Sequence, residues 1–481
     1  MHADPSSSVV LSRDALLDIG HRLLSLSTAD TTCIELQHTA RAVTRVSHDR
    51  VLTSDSGDTL SILIRTMSGA QLPVRMQINQ IDESSLQFAM RALNELTKVQ
   101  FGAPVDYLRV PDGPQHYLPV SLWHDTTAAA ITTSGDTSVP LLIDAFHTSN
   151  IPGAGFIGVM ARSTLVMQED GLIAFNQETD SECSVSAWSP DRRASGWSGH
   201  AARDWSTVRP GTIAAEAIEL AKRGMNPVAV EPGRRTVILS RFAVAQIMRH
   251  LSPHFDAYQT NVYASTAFAV RGDTTRVNKV GRQVFDPTVN MSIDPADPLG
   301  GFIPFGDVTG DWAAMPTHAV SLVERGVLRD LTYSIYYGLE EGKPFSQNPW
   351  ALRVEATAET PLLTVDDMIA RCDEGIYIHR LSDVAEIDRA SGMQTGVTRD
   401  GCFLIKGGKI ERPVKNFRFI DSPFGMLNRI VAIGKTERTA MGYMEPANDE
   451  PAYLWQWPRR PMIVPPLMIR DFNLTALADA V

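Results

Sequence analysis

His250 and His254, four residues apart and preceded directly by Arg249, are the densest group of chemically capable side chains in this sequence. Imidazole can ligate zinc or move a proton near neutral pH, and a guanidinium can neutralise an anion. A zinc helix needs both imidazoles on one face of a continuous turn and a glutamate beside the first as general base. Here Leu251 follows His250, and Pro253 breaks the turn that would align the pair. The spacing thus invites a zinc reading that these departures argue against, and the alternative is two histidines at a helix end. At a helix end an imidazolium complements the dipole.

The elements that must position these residues lie just upstream. Val237, Ile238 and Leu239 have the apolar character of a buried strand. Phe242, Ala245, Met248 and Leu251 then recur every three residues, one stripe of a helix. Pro253 cannot continue that helix. A strand-then-helix unit would present Arg249, His250 and His254 at its far end.

A chain of 481 residues is long for one core, so two domains are expected, 1–224 and 225–481 with a Pro/Gly-bounded junction at 224–233. The net charge of −11 argues against nucleic acid or an anionic membrane as the main partner. Cys33, Cys183, Cys372 and Cys402 are scattered, with no Cys-x-x-Cys pair, which suits a reducing compartment. The start lacks a cationic segment leading into an apolar one, and no apolar run reaches membrane-spanning length. The expectation is a soluble, cytoplasmic protein with no membrane partner.

In the first half, residues 12–27 predict a helix capped by Ser12 with Leu16, Ile19, Leu23 and Leu24 inward. Thr59–Arg65 predicts a strand introduced by a turn at Ser54–Asp58, and 82–100 predicts a second helix capped by Asp82 or Ser84. Sheet plus helices indicates an α+β layer. A literal G-x-G-x-x-G, GAGFIG at 153–158, invites a dinucleotide site, but a strand and a turn at Glu169–Gly171 follow where that site needs a helix. These glycines are read as part of a hairpin. A further helix is expected over 201–223. Beyond the strand-then-helix unit, the second half is read as a β-rich, barrel-like or sandwich domain, with helices near 364–371 and 423–433. The fold class is α+β.

Other groups compete with bland alternatives. Asp286, Asp294, Asp297, Asp307 and Asp311 could bind calcium, although their spacing matches no cation loop and solvated turns account for them. His379 lies in an alternating segment and faces either a cleft or solvent. Trp455 and Trp457, among several prolines, suggest an arm packed on its own domain or covering a pocket.

From Asp400 to Lys435, the segment DGCFLIKGGKIERPVKNFRFIDSPFGMLNRIVAIGK resembles the C-terminal signature of the TldD/PmbA (TldE) family. Three other stretches are similar to family segments, in the right order: LQFAMRALNELTK, EPGRRTVILSRFAVAQIMRHL, and IPFGDVTGD followed by LVERGVLRDLTYSIYYG. The resemblance spans roughly 55–450. It implies an N-terminal α+β domain and a C-terminal β-dominated one. TldD-type subunits of this family are zinc peptidases that bind metal through an H-E-x-x-x-H helix and a late cysteine. TldE-type subunits lack the motif and pair with TldD around an enclosed chamber for peptide substrates.

Carried onto this chain, the first ligand position is Arg249, the glutamate position is His250, and only His254 keeps a histidine. No cysteine follows Cys402. Arginine stays protonated and repels zinc, and without the glutamate no base is placed for a metal-bound water. The resemblance thus implies a TldE-like subunit with no cofactor of its own, zinc in a TldD-like partner, and a peptide or peptide-like substrate. Assembly is expected as a heterodimer, with a homodimer possible when the chain is alone. Two other readings stay open: a metal-free enzyme in which Arg249, His250 and His254 serve acid–base and anion-binding roles, and a scaffold that only captures peptide.

Overall fold

The computed structural model describes residues 9–69, 73–99, 113–272, 277–306, 314–346, 351–440 and 462–478. It is an α+β architecture of three sheets, with helices on one face of the first.

The first sheet is antiparallel throughout. Its strands are β1 (Thr31–Ser47), β2 (Arg50–Met67), β3 (Val74–Ile78), β4 (Gly153–Gln168), β5 (Ile173–Trp188) and β6 (Ser195–Ala202), in the order β3-β2-β1-β4-β5-β6. At one end the helices Arg13–Leu26 and Glu83–Lys98 pack Leu16, Leu23, Leu86 and Leu93 onto Ile34, Leu36, Ile62 and Ile64. Ser12 caps the first as expected, accepting from the Ala15 N–H, and of the two candidates for the second it is Asp82 that accepts from the Ser85 N–H. At the other end the helices Ser134–Ser149 and Pro210–Arg223 cover Ile157, Cys183 and Val185.

GAGFIG lies in β4, and the next element is another strand, β5, so no helix N-terminus meets these glycines. Their role is steric. A Cβ on Gly153 would sit 2.1 Å from the Phe146 ring and one on Gly155 would sit 2.6 Å from Leu142. The absent side chains let the helix Ser134–Ser149 lie directly on the sheet.

Three local expectations need correction. Ser54–Asp58 is strand rather than turn, because it pairs with Ala40–Thr44 of β1 and long-range pairing overrides its polar composition. The helix expected from 201 begins at Pro210, since Ala201 and Ala202 finish β6 and proline is favoured at the first helical position. Over 423–433 only Pro423–Met426 is helical, and Ile430–Ile433 pairs with the strand Leu467–Ala478.

The second half contains a closed five-stranded barrel. Glu374–Asp388 pairs with Gly233–Leu239, which pairs with Leu467–Ala478; Asn416–Asp421 and Met393–Lys406 complete the circuit back to Glu374–Asp388. Another sheet, containing Val289–Ile293, Val320–Glu324, Arg353–Ala356 and Met462–Val464, lies beside it. The helix Arg241–Leu251 packs against strands of both, Glu374–Asp388 of the barrel and Met462–Val464 of the sheet. Ala243, Val244, Ala245, Ile247, Met248 and Leu251 are all buried in a core shared by barrel and sheet, while Phe242 is buried against Trp197 and Ala201 of the first sheet. Burial on so many sides makes this the central helix of the domain. Among the described residues, no helix is long and apolar enough to cross a membrane.

Candidate functional site

The sequence's chemical group lies at one end of the central helix, and a third histidine, His379 of the barrel strand Glu374–Asp388, lies at the other. Ser240 caps its start, accepting from the Phe242 N–H at 3.1 Å and donating its hydroxyl to the His379 carbonyl. At its far end Pro253 stops the α-helix, and Ser252–Phe255 forms a single tighter turn that swings His254 inward.

Arg249, His250 and His254 are brought to one locus, joined there by Glu386 from the barrel strand Glu374–Asp388. His254 is 1% exposed. Its Nδ1 accepts the Ala267 N–H at 3.0 Å, so that nitrogen carries no proton. Nε2 therefore holds the proton and donates to Glu386 Oε1 at 2.5 Å. Burial holds the His254 pKa below its ordinary value, although Glu386 pulls the other way. His250 is half-buried and hydrogen-bonded to the Val384 carbonyl; burial, with Arg249 adding to it, also lowers its pKa. Both imidazoles are thus held neutral. His254 ties the helix end to the 266–268 segment and to the barrel.

This set does not fit zinc. Arg249 offers no lone pair, and both His254 nitrogens are engaged. Cys402 is buried with its thiol pushed up to about 12, away from the thiolate a metal needs. Among the described residues, no three His, Cys, Asp or Glu side chains are arranged to hold a metal ion. The aspartates considered for calcium do local work instead. Asp297 accepts from Leu299 and Gly300 N–H groups and pairs with Arg353, while Asp286 and Asp294 cap turns. Asp307, Asp311, Trp455 and Trp457 lie outside the described residues.

His379 faces the junction between barrel and first sheet. Its Nε2 donates to the Trp197 carbonyl at 2.8 Å and its Nδ1 accepts from the Tyr377 hydroxyl at 3.0 Å. Burial pushes its pKa down to about 4. Its position near the positive end of the central helix dipole favours the same neutral form.

A charged group with no local sequence signature lies on the sheet face away from the helices. Along β5, Cys183 and Val185 point to the helices, so Glu178, Asp180 and Glu182 point to the opposite face. There Arg438 meets Asp180 at 2.5 Å, and Glu178 lies 3.5 Å from Arg203 and 3.9 Å from Arg162. Arg438 also donates to the Leu299 carbonyl at 3.1 Å, and Arg203 to that of Gly301. Charge is therefore buried across the seam between the two halves. Burial works against both partners, pushing Asp180 up and Arg438 down.

Residues 232–476, half of the chain, match the family model described as the PmbA/TldA metallopeptidase C-terminal domain. No curated protein matches the sequence. Two solved structures share the fold. One is TldE from Thermococcus kodakarensis, with TM-score 0.75 and 16% identity over 96% of this chain and 99% of that one. The other is a Thermotoga maritima protein named as a candidate modulator of a DNA gyrase, with TM-score 0.75 and 15% identity over 96% of this chain and 100% of that one. With the barrel and central helix lying inside the matched residues, this chain belongs to the PmbA/TldD (TldE) family.

Proposed function

We propose that this chain is a TldE-type subunit of a TldD/TldE-type metallopeptidase, acting in peptide or biosynthetic-intermediate processing and lacking a zinc site of its own. The observation that carries this reading is the end of the central helix. The family's H-E-x-x-x-H falls on Arg249 to His254, where one ligand is an arginine and the remaining histidine is committed at both nitrogens. A site of this composition cannot generate a metal-bound nucleophile, so the chemistry must come from a partner carrying the intact motif. This chain then supplies half of a chamber and part of the peptide-binding surface. Four free thiols suit the cytoplasm.

Co-expression with a family chain that has an intact H-E-x-x-x-H tests the assignment. The two should co-purify as a stable pair whose peptidase activity is lost on chelation. The chain alone should scatter light near twice 52.8 kDa if it pairs with itself in the partner's absence. A monomer indifferent to the zinc-bearing chain contradicts the reading.

A further inference from the structure

The seam between the first sheet and the barrel forms a cleft open to solvent, of about 470 Å³, within the size range of small-molecule sites. Phe156, Trp188 and Trp197 give it aromatic walls from the sheet. Three guanidinium groups line it, Arg45 from β1 and Arg380 and Arg399 from the barrel, against a single carboxylate, Asp400. In a chain of net charge −11 this local excess of cations reverses the overall field.

The lining is built rather than incidental. Asp400 is buried, bonds Arg380 at 3.0 Å and stands 4.0 Å from Arg399. The Arg380 guanidinium lies over the Trp197 ring at 4.4 Å, which fixes its plane. Asp400 and Gly401 sit at φ 57° and φ 131° inside a strand, so the backbone kinks where the carboxylate enters the cleft. A second cleft of about 670 Å³ shares Asp400 and adds Arg192, Arg193 and Lys415 against one further carboxylate, Asp191.

We propose that this seam is a binding site for a carboxylate carried on an aromatic body. Planar guanidinium groups match the flat, two-oxygen geometry of a carboxylate, and the indole and phenyl walls take the ring. A carboxylate could arrive on a free small acid or on a chain terminus. The site uses none of the residues that carry the subunit assignment, so either can fail alone.

Calorimetry on the purified full chain, without partner or zinc, tests the site. The probes are N-acetylphenylalanine, its neutral amide, acetyl-Gly-Gly-Phe as a chain terminus, and phenyl phosphate. We expect both carboxylates to bind at least about tenfold tighter than the amide and to weaken in high salt. The tighter of the two acids names the source. Arg45→Gln and Arg399→Gln should each weaken binding by about tenfold. The exposed Arg325→Gln should leave it unchanged. Should an arginine variant misfold, Leu52→Glu places a repelling charge at an exposed lining position and should weaken binding without touching the core. Equal affinity for acid and amide overturns the proposal. So does preference for phenyl phosphate, absence of heat with either acid at millimolar concentration, or binding indifferent to Arg45→Gln, Arg399→Gln and Leu52→Glu alike.

Discussion

The core around the central helix and the seam between sheet and barrel are both buried, yet they are built from opposite chemistry. Around the helix, Val237, Leu239, Met248, Phe417 and Ile469 exclude water with apolar surface. At the seam, Asp180, Glu178, Arg203 and Arg438 are withdrawn from water as charges. Apolar burial stabilises directly, at roughly 1.5–3 kcal/mol per large side chain. Buried ion pairs seldom add net stability over an apolar replacement. A seam that keeps charges is therefore poorly explained by folding alone, and its chemistry points toward binding and toward fixing how the two halves meet.

The comparison predicts different costs for damage in the two regions. Phe417→Ala, at a fully buried barrel position, should lose about 3–5 kcal/mol in urea unfolding. Arg438→Met strands Asp180 without its partner and should cost a comparable amount, about 3–5 kcal/mol. Adding Asp180→Leu should return part of that loss, because the stranded Asp180 carboxylate is then gone while Glu182 stays buried. An apolar core offers no such rescue. If the double variant is as unstable as the sum of its parts, the seam charges matter to folding in a way this account does not include.

A smaller effect separates the regions by pH. His379 titrates at about 4 in the folded chain against 6.5 in the unfolded one. Above 6.5 both states are neutral at this residue and stability is unaffected. As pH falls from 6.5 to about 4 the unfolded chain takes up the proton first, so stability drops, by at most about 3 kcal/mol. His200, His250 and His254 are shifted the same way and add to the slope. Melting temperature followed across that window should fall for the native chain and fall less for His379→Gln. A parallel slope in the variant would remove His379 from the explanation.

What the sequence disclosed was local. Ser12 and Asp82 start their helices as expected because a cap and an apolar stripe are read within a few residues. Pro253 ends the central helix for the same reason. GAGFIG was separable from a nucleotide site because the deciding context, strand rather than helix, follows within the next twenty residues. The barrel was legible only as an excess of strands, since its closure joins Gly233–Leu239 to Leu467–Ala478 across the whole domain. The site suffered most. Glu386 stands 132 residues from His254, and Asp180 stands 258 from Arg438. No spacing rule reaches that far, and an ordinary charged residue in a strand carries no mark that it will be buried.

The central claim is that His250 and His254, both uncharged, form with the Arg249 cation a metal-free joint between the central helix and the barrel. Zinc titration of the stripped, purified chain against a chromogenic chelator tests it most directly. The account predicts well under one equivalent of tightly held zinc, with His254→Ala lowering thermal stability and leaving zinc uptake unchanged. One equivalent held tightly, and lost in His254→Ala, would contradict it.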